Sequence, residues 1–183
     1  MVGVIAYSDA INVLFMAPKD NMLPDEDLDR TDRLILMHLQ RDGRISNQDL
    51  AQRVSLSPSP CLRRVKRLEE QGYIRRYVAL ADPEKLGLGL LAYVFVRLDK
   101  SHRAEHGAMS GFARDVQGWA EVIQCYAMSG DMDYLLRVHV NDLAAFSRFA
   151  MDTLMRHPAV IDIRSSFALQ SIKETTELPV QIK

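Results

Sequence analysis

The sequence of 183 residues has only two cysteines, Cys61 and Cys125. Neither lies in a CxxC pair or a metal-spaced Cys/His cluster, which excludes a disulfide-stapled fold and favours a reducing cytoplasm. No apolar run reaches the roughly 18 residues that a membrane span needs, so no membrane segment is predicted. With 48% hydrophobic and 26% charged residues, the chain has the composition of a globular protein. A mainly disordered or repetitive chain is excluded.

Motifs of catalysis and metal binding are also missing. The sequence has no Gly-rich phosphate loop, no H-E-x-x-H and no convincing pair of nucleophile and base. Of the five histidines, His102 and His106 are spaced i, i+4 but lack a third ligand. We therefore expect neither an enzyme nor a metal site.

Charge is distributed unevenly along the chain. Residues 1–28 carry a net charge of −4, residues 29–80 carry +5 from eleven basic and six acidic side chains, and residues 81–183 carry −2. A basic block between two acidic ones indicates an anionic partner for one domain only.

The first 27 residues do not resemble a signal peptide. No basic residue precedes the apolar stretch 11–17, and Pro18 and Lys19 follow it directly. We expect a flexible extension over residues 1–27. Translation from Met16 or Met22 is an alternative that the sequence leaves open.

Three short helices are predicted between residues 28 and 71. In the first, Leu28, Ile35 and Leu39 share one face, and Gly43 is a natural C′ residue. The second begins at the capping-box-like sequence S-N-Q-D, residues 46–49. The third begins in S-P-S-P, residues 57–60, which allows a serine N-cap before a proline in either of two registers.

The third helix combines an apolar stripe, which includes Cys61 as a packed thiol, with a basic surface. Residues 73–80 alternate apolar and basic side chains, which is typical of a small β-ribbon. Together these elements form the plan of a winged helix-turn-helix, whose second helix enters the DNA major groove. A solvated helix whose arginines pair with Glu69 and Glu70 is the alternative. The predicted DNA contacts are two serines and six cations: Ser57, Ser59, Arg63, Arg64, Lys66, Arg67, Arg75 and Arg76.

The second half of the chain has a different period. Strands are predicted at 90–98, 122–128, 134–140 and from about 161 to 169, with amphipathic helices after the first and third strands. The order β-α-β-β-α-β is the ferredoxin-like plan, an antiparallel sheet with two helices on one side. Apolar residues on both faces of the first strand indicate that a second subunit covers the other face.

The predicted fold class is therefore α+β, with an N-terminal winged helix-turn-helix and a C-terminal ferredoxin-like domain. The expected boundaries are an extension over 1–27, the DNA-binding domain over 28–80, a linker over 81–89, the ferredoxin-like domain over 90–173 and a tail over 174–183.

Five motifs resemble the Lrp/AsnC (feast/famine) family of bacterial and archaeal regulators, most closely its leucine-responsive branch. They are L-D-R-T-D-R at 28–33, L-Q-R-D-G-R at 39–44, L-S-P-S-P-C at 56–61, R-L-E-E-Q-G-Y-I at 67–74 and S-G-D-M-D-Y-L-L at 129–136. The match covers residues 28–172 in family order. The resemblance implies a sequence-specific transcriptional regulator that binds double-stranded DNA at the nucleoid. It also implies a homodimer joined through the C-terminal sheets and assembled into octamers.

The resemblance further implies a small amino-acid effector bound between subunits near residues 130–133, with no other cofactor. By position, Gly130 would bring backbone N–H groups close to the effector carboxylate, and Asp133 would face its ammonium or fix the loop. The weaker candidates for this site are Ser129, Asp131, Tyr134, Ser166 and Phe167. A plain hairpin loop, and a weak cation site formed by Asp131 and Asp133, are the alternatives.

Two rival function classes stay open at this point. Ferredoxin-like domains also occur in enzymes, and some DNA-binding proteins are architectural and respond to no effector. Salt-sensitive DNA binding separates the enzyme from the others, and a response to an amino acid separates the regulator from the architectural protein.

Overall fold

The computed structural model describes residues 28–99 and 108–182. This part of the chain forms two compact units: the chain up to Leu80 together with the segment from Lys173 onwards, and Ala81–Ile172. In the described ranges no helix has both the length and the apolar character of a membrane span. The expected extension over 1–27 and the histidines His102 and His106 lie outside the described residues.

The first unit contains three helices, α1 Arg30–Arg41, α2 Asn47–Arg53 and α3 Pro58–Glu70. A full capping box starts α1: the Asp29 carboxylate accepts from the Asp32 backbone N–H, and the Asp32 carboxylate accepts from the Asp29 backbone N–H. The Ser46 hydroxyl caps α2 by accepting from the Asp49 N–H at 3.1 Å. Side-chain caps thus fix the starts of two helices locally.

The core of this unit is small and lies among the three helices. Cys61 and Leu68 of α3 are fully buried against Ile35 of α1 and Leu50 and Ala51 of α2. The prediction of a packed thiol is confirmed for Cys61, and burial raises the pKa of that thiol. Since Cys61 and Leu68 lie seven residues apart, they anchor one side of α3 and leave the other side to solvent.

The expected β-ribbon over residues 73–80 is wrong. No strand forms there, and this segment turns back onto the helices instead: the Ile74 N–H donates to the Leu68 carbonyl, and the Tyr77 hydroxyl donates to Glu69 at 2.9 Å. The Tyr77 ring lies so close to Gly43 that a Cβ there would be 3.4 Å from the ring. Strand alternation gives a propensity only, and a ribbon needs a second strand, which the described residues of this unit do not provide.

The second unit is an antiparallel sheet with helices on one face. Its elements are β1 Leu90–Leu98, α4 Ala108–Asp115 with a 3₁₀ turn Val116–Gly118, β2 Val122–Ala127, β3 Tyr134–Val140, α5 Leu143–Arg148 with a π-helical turn Phe149–Leu154, and β4 Val160–Phe167. The strand order is β2-β3-β1-β4, and each neighbouring pair is antiparallel. The predicted ferredoxin-like fold is confirmed.

Alternate residues of the sheet face the helices. Val94 and Val96 of β1 and Leu136 of β3 are fully buried there, together with Phe112 of α4. The intervening residues Tyr93, Phe95 and Leu135 lie on the opposite face and are exposed or half-buried. We call this opposite face, with Tyr93, Phe95, Arg97, Leu135 and Arg137, the open face.

Candidate functional site

The start of α3 presents two serines to solvent but few backbone donors. Ser57 is extended and precedes Pro58 at N1, which selects one of the two registers that the sequence allowed. Pro58 and Pro60 have no N–H, and the Cys61 N–H already donates to the Ser57 carbonyl at 3.2 Å. Of the first helical residues only Ser59 keeps a free N–H, so anion binding here depends on the Ser57 and Ser59 hydroxyls.

Two of the four cations on α3 are engaged inside the domain. Arg64 lies 2.6 Å from a carboxylate oxygen of Asp29 and 2.9 Å from one of Asp32, and Arg67 lies 2.5 Å from the other Asp32 oxygen. Asp32 is fully buried. The hydrogen bonds that Arg64 donates to the carboxylates of Asp32 and Asp29 raise the pKa of Arg64. Burial favours the neutral form of Asp29, but the Asp32 N–H and the Arg64 guanidinium outweigh it and lower the pKa of Asp29.

The other two cations, Arg63 and Lys66, are exposed. They lie three residues apart and so share one side of α3, and no ion pair within the described ranges holds either of them. Arg75 and Arg76 are also exposed, in the segment where no ribbon forms. The predicted DNA contacts therefore fall into an exposed set, Arg63, Lys66, Arg75 and Arg76, and an internally paired set, Arg64 and Arg67.

The loop between β2 and β3 is held in shape by Asp133. Its carboxylate accepts from the Leu98 N–H at 2.8 Å, its own N–H donates to the Val96 carbonyl at 2.8 Å, and its carbonyl accepts from the Met128 N–H at 2.8 Å. Of the two roles expected for Asp133, loop fixation is present in the structure. Gly130 has φ +122°, which disfavours any other residue, although a Cβ there would meet no atom within 4 Å.

The remaining loop side chains have different exposures. Ser129, Gly130 and Asp131 are exposed, whereas Met132 is buried and anchors the loop. Tyr134, which was also expected at the site, lies in the core with its ring 4.8 Å from that of Phe112. Burial raises the pKa of Tyr134 to about 12. Its ring therefore packs into the core beneath the loop and not on the exposed side of the loop.

The two candidates on β4 lie on opposite faces of the sheet. Ser166 is opposite Tyr93 and shares the open face, while Phe167 is opposite Ala92 and its ring contacts Phe146 at 4.9 Å on the helix side. Tyr134 is opposite Val96, four residues further along β1 than Ala92. Four residues of strand span about 13 Å. One chain alone therefore does not bring the loop and β4 candidates into one pocket.

Sequence reasoning missed two arginines on the open face, Arg97 and Arg137. Arg97 pairs with Asp162 of β4 at 3.0 Å. The Nε atoms of Arg97 and Arg137 are buried and find no acceptor among the described residues. The two-residue period of β1 and β3 already places these arginines on the same side as Tyr93, Phe95 and Leu135 and was the signal available.

Comparison with known proteins gives a consistent result for both units. The pattern described as winged helix-turn-helix DNA-binding matches residues 28–75, and the pattern described as Lrp/AsnC ligand binding domain matches residues 91–178. The chain is 42% identical over 160 residues to the leucine-responsive regulatory proteins of Salmonella typhimurium and Escherichia coli, which covers 87% of this chain and 96% of theirs.

Solved structures agree with this assignment. A transcriptional regulator of Neisseria meningitidis, in complex with L-methionine, is 49% identical with a TM-score of 0.79 and covers 83% of this chain and 96% of its own. An AsnC family regulator of Agrobacterium tumefaciens is 42% identical with a TM-score of 0.77, covering 83% of this chain and 97% of its own. The chain thus belongs to the Lrp/AsnC family of transcriptional regulators, with a winged helix-turn-helix DNA-binding domain and the ligand-binding domain of that family.

Proposed function

We propose that this regulator reads double-stranded DNA with the exposed side of α3, with Arg63 and Lys66 as its main base and phosphate contacts. The observation that carries this proposal is that two of the four cations on α3 are paired inside the domain and the other two are exposed. Arg64 and Arg67 are tied to Asp29 and Asp32 inside the domain. The exposed pair is the one left able to reach base edges, and an arginine can bind guanine at two points.

The remaining predicted contacts position the domain on the duplex. The Ser57 and Ser59 hydroxyls at the start of α3 are suited to phosphate oxygens. Arg75 and Arg76 add sequence-independent phosphate contacts, which make the affinity depend on salt. As a DNA-binding regulator, the protein would act in the cytoplasm at the nucleoid.

The second part of the proposal is an amino-acid effector at the β2–β3 loop. In its favour is the L-methionine held by the 49% identical regulator of Neisseria meningitidis, together with the exposed Gly130 loop of this chain. Backbone N–H groups around Gly130 suit the effector carboxylate. Asp131 is exposed and would face the ammonium, while Asp133 keeps the loop in register. The effector class is an α-amino acid with an apolar side chain, with L-methionine and L-leucine as the first candidates.

The site would be completed between two subunits. Ser166 lies too far along the sheet from the loop to act with it in one chain, so a second copy would bring its β4 to the loop. The apolar side chains of the open face support a homodimer, because a monomer would leave Tyr93, Phe95 and Leu135 in contact with water. A partner would also offer acceptors to the buried Nε atoms of Arg97 and Arg137. Further assembly to octamers belongs to the same proposal.

The experiment has two arms. A duplex enriched from a random pool by its affinity for the protein is compared with a scrambled duplex over a range of salt. We expect tighter binding of the enriched duplex and weaker binding of both as salt rises. A thermal-shift screen over the twenty amino acids then identifies the effector, because binding to the folded state raises the melting temperature.

The outcomes separate the function classes. Sequence-selective, salt-dependent binding together with one or more stabilising amino acids supports the proposal. DNA binding with no amino-acid response would indicate an architectural protein, and no DNA binding would overturn the proposal.

A further inference from the structure

The C-terminal segment of the chain is bound to α1 of the DNA-binding unit. The side-chain amide of Gln40 makes two hydrogen bonds to the backbone of Leu178: its Oε1 accepts from the Leu178 N–H at 2.6 Å, and its Nε2 donates to the Leu178 carbonyl at 3.1 Å. An amide that bonds both the N–H and the C=O of one residue substitutes for a neighbouring β-strand. This two-point contact fixes the register of the segment on the helix.

Two further contacts lie on either side of this one. Arg41 pairs with Glu177 at 3.1 Å, and Arg33 donates from Nη1 to the Gln181 carbonyl at 3.1 Å. The Arg41–Glu177 pair is exposed and adds little, but Arg33 is only 6% exposed. A buried guanidinium needs acceptors, and Gln181 supplies one of them, besides the Leu28 carbonyl.

α1 also binds α3, the helix proposed to read DNA. Asp32, next to Arg33 in the chain, is the buried carboxylate that binds Arg64 and Arg67 of α3. α1 therefore contacts the C-terminal segment through Arg33, Gln40 and Arg41, and it contacts α3 through Asp32 and through its N-cap residue Asp29. A shift of α1 acts directly on the helix proposed to read DNA.

The segment is also the direct continuation of the sensing sheet. β4 ends at Phe167, and the chain joins the DNA-binding unit from Lys173 onwards. Together with residues 81–89, it makes a second covalent connection from the sheet to the helices. Nine residues, 168–176, join the end of β4 to Glu177, the first residue of the segment that binds α1.

We propose that residues 173–182 form a strap that fixes α1, and through it α3, and that effector-induced change in β4 reaches the DNA-binding helix along this strap. The effector part rests on the proposed function, whereas the fixation of α1 does not. No property of the strap is encoded in a local motif, because Gln40 and Leu178 are 138 residues apart.

The test compares the full chain with three separate variants. One variant ends at Ile172, a second carries Gln40→Ala, and a third carries Gln170→Ala as a control that removes an exposed amide with no described contact. The readouts are hydrogen exchange of the α1 amides, affinity for an enriched duplex, and the ratio of that affinity with and without L-methionine or L-leucine. Calorimetry follows binding of the same two amino acids.

We expect α1 amides to exchange about tenfold faster in the first two variants, as the loss of one or two net hydrogen bonds predicts. The affinity ratio should fall towards one while calorimetric binding of the amino acid is retained, and Gln170→Ala should match the parent. Unchanged exchange of the α1 amides in Gln40→Ala would overturn the strap. This single substitution decides the outcome even if the truncated chain folds poorly.

Failure of the proposed function gives a different pattern. If the parent binds neither amino acid, the effector proposal fails, while the exchange comparison still decides whether the segment fixes α1. If the parent responds and both variants respond equally, with faster exchange in α1, the relay through the strap is overturned.

Discussion

The Asp133 carboxylate accepts a hydrogen bond from the backbone N–H of Leu98 at 2.8 Å, which joins the β2–β3 loop to the end of β1. The loop that the family resemblance assigns to an effector is thus held by one of its own acidic residues. Asp131, two residues earlier, is exposed. Structural support and ligand contact are therefore separable by substitution.

Asp133→Ala should lower the free energy of unfolding by about 1–3 kcal/mol, because it leaves the Leu98 N–H without its charged acceptor. It should also remove the effector response, since the loop loses its shape. Asp131→Ala is the matched variant: we expect an unchanged melting temperature and an L-methionine affinity reduced by roughly tenfold or more. Urea unfolding and calorimetry measure the two effects. An Asp133→Ala protein of parental stability would contradict this assignment of roles.

Arg63→Ala should weaken DNA binding and Arg64→Ala should lower stability, although the two residues are adjacent. Arg63 is exposed, so its loss should weaken binding to an enriched duplex by about 1–3 kcal/mol and relax specificity at one position, with stability unchanged. Arg64→Ala deprives Asp29 and buried Asp32 of a partner and should lower the free energy of unfolding by about 1–3 kcal/mol. Fluorescence anisotropy and urea unfolding distinguish them. Equal losses on enriched and scrambled duplexes for Arg63→Ala would exclude it as a base reader.

Mild acid should destabilise the DNA-binding unit through His38. Burial, followed by the positive charges of Arg53 and Arg41, lowers the pKa of His38 below its usual 6.5. The folded state thus favours neutral His38, and this contribution is present above about pH 6.5 and lost as pH falls through the lower, folded-state pKa. His38→Gln should therefore lose less stability than the parent between about pH 7.5 and pH 5. Parallel stability profiles of the two proteins would count against this origin.

The open face of the sheet should control assembly. Leu135→Glu puts a charge among Tyr93 and Phe95, and burying an unpaired carboxylate costs several kcal/mol, so the dissociation constant of a dimer should rise by about a hundredfold or more. Met151→Glu is the control, because Met151 is 62% exposed outside this face. Sedimentation of the full chain measures both. A Leu135→Glu protein with the parental mass would move the interface elsewhere.

The fold was predictable because its signals are local. The helical spacing of Leu28, Ile35 and Leu39, the serine caps and the two-residue period of β1 and β3 each depend on nearby residues. The segment 73–80 shows the limit of this reasoning. Its β-branched and aromatic residues favour a strand, but strand pairing depends on a partner at a distance, and here Tyr77 bonds to Glu69 instead.

The candidate site was predictable in part. The family resemblance assigns the effector to the neighbourhood of Gly130, but it does not tell that Tyr134 packs on Phe112 or that Ser166 and Phe167 face opposite ways. Arg64 and Arg67 carry the same charge as Arg63, and only the contact with Asp32, some 32–35 residues away, sets them apart. Long-range pairs of this kind leave no trace in periodicity or composition.

Effector-responsive DNA binding is tested most directly by an anisotropy titration of an enriched duplex with the parent protein, with and without the amino acid that stabilises it most. We predict a change in DNA affinity of about fivefold or more, in either direction, and by linkage an equal change in amino-acid affinity when DNA is bound. Superimposable titrations with each of the twenty amino acids would contradict the claim that this chain is an effector-responsive regulator.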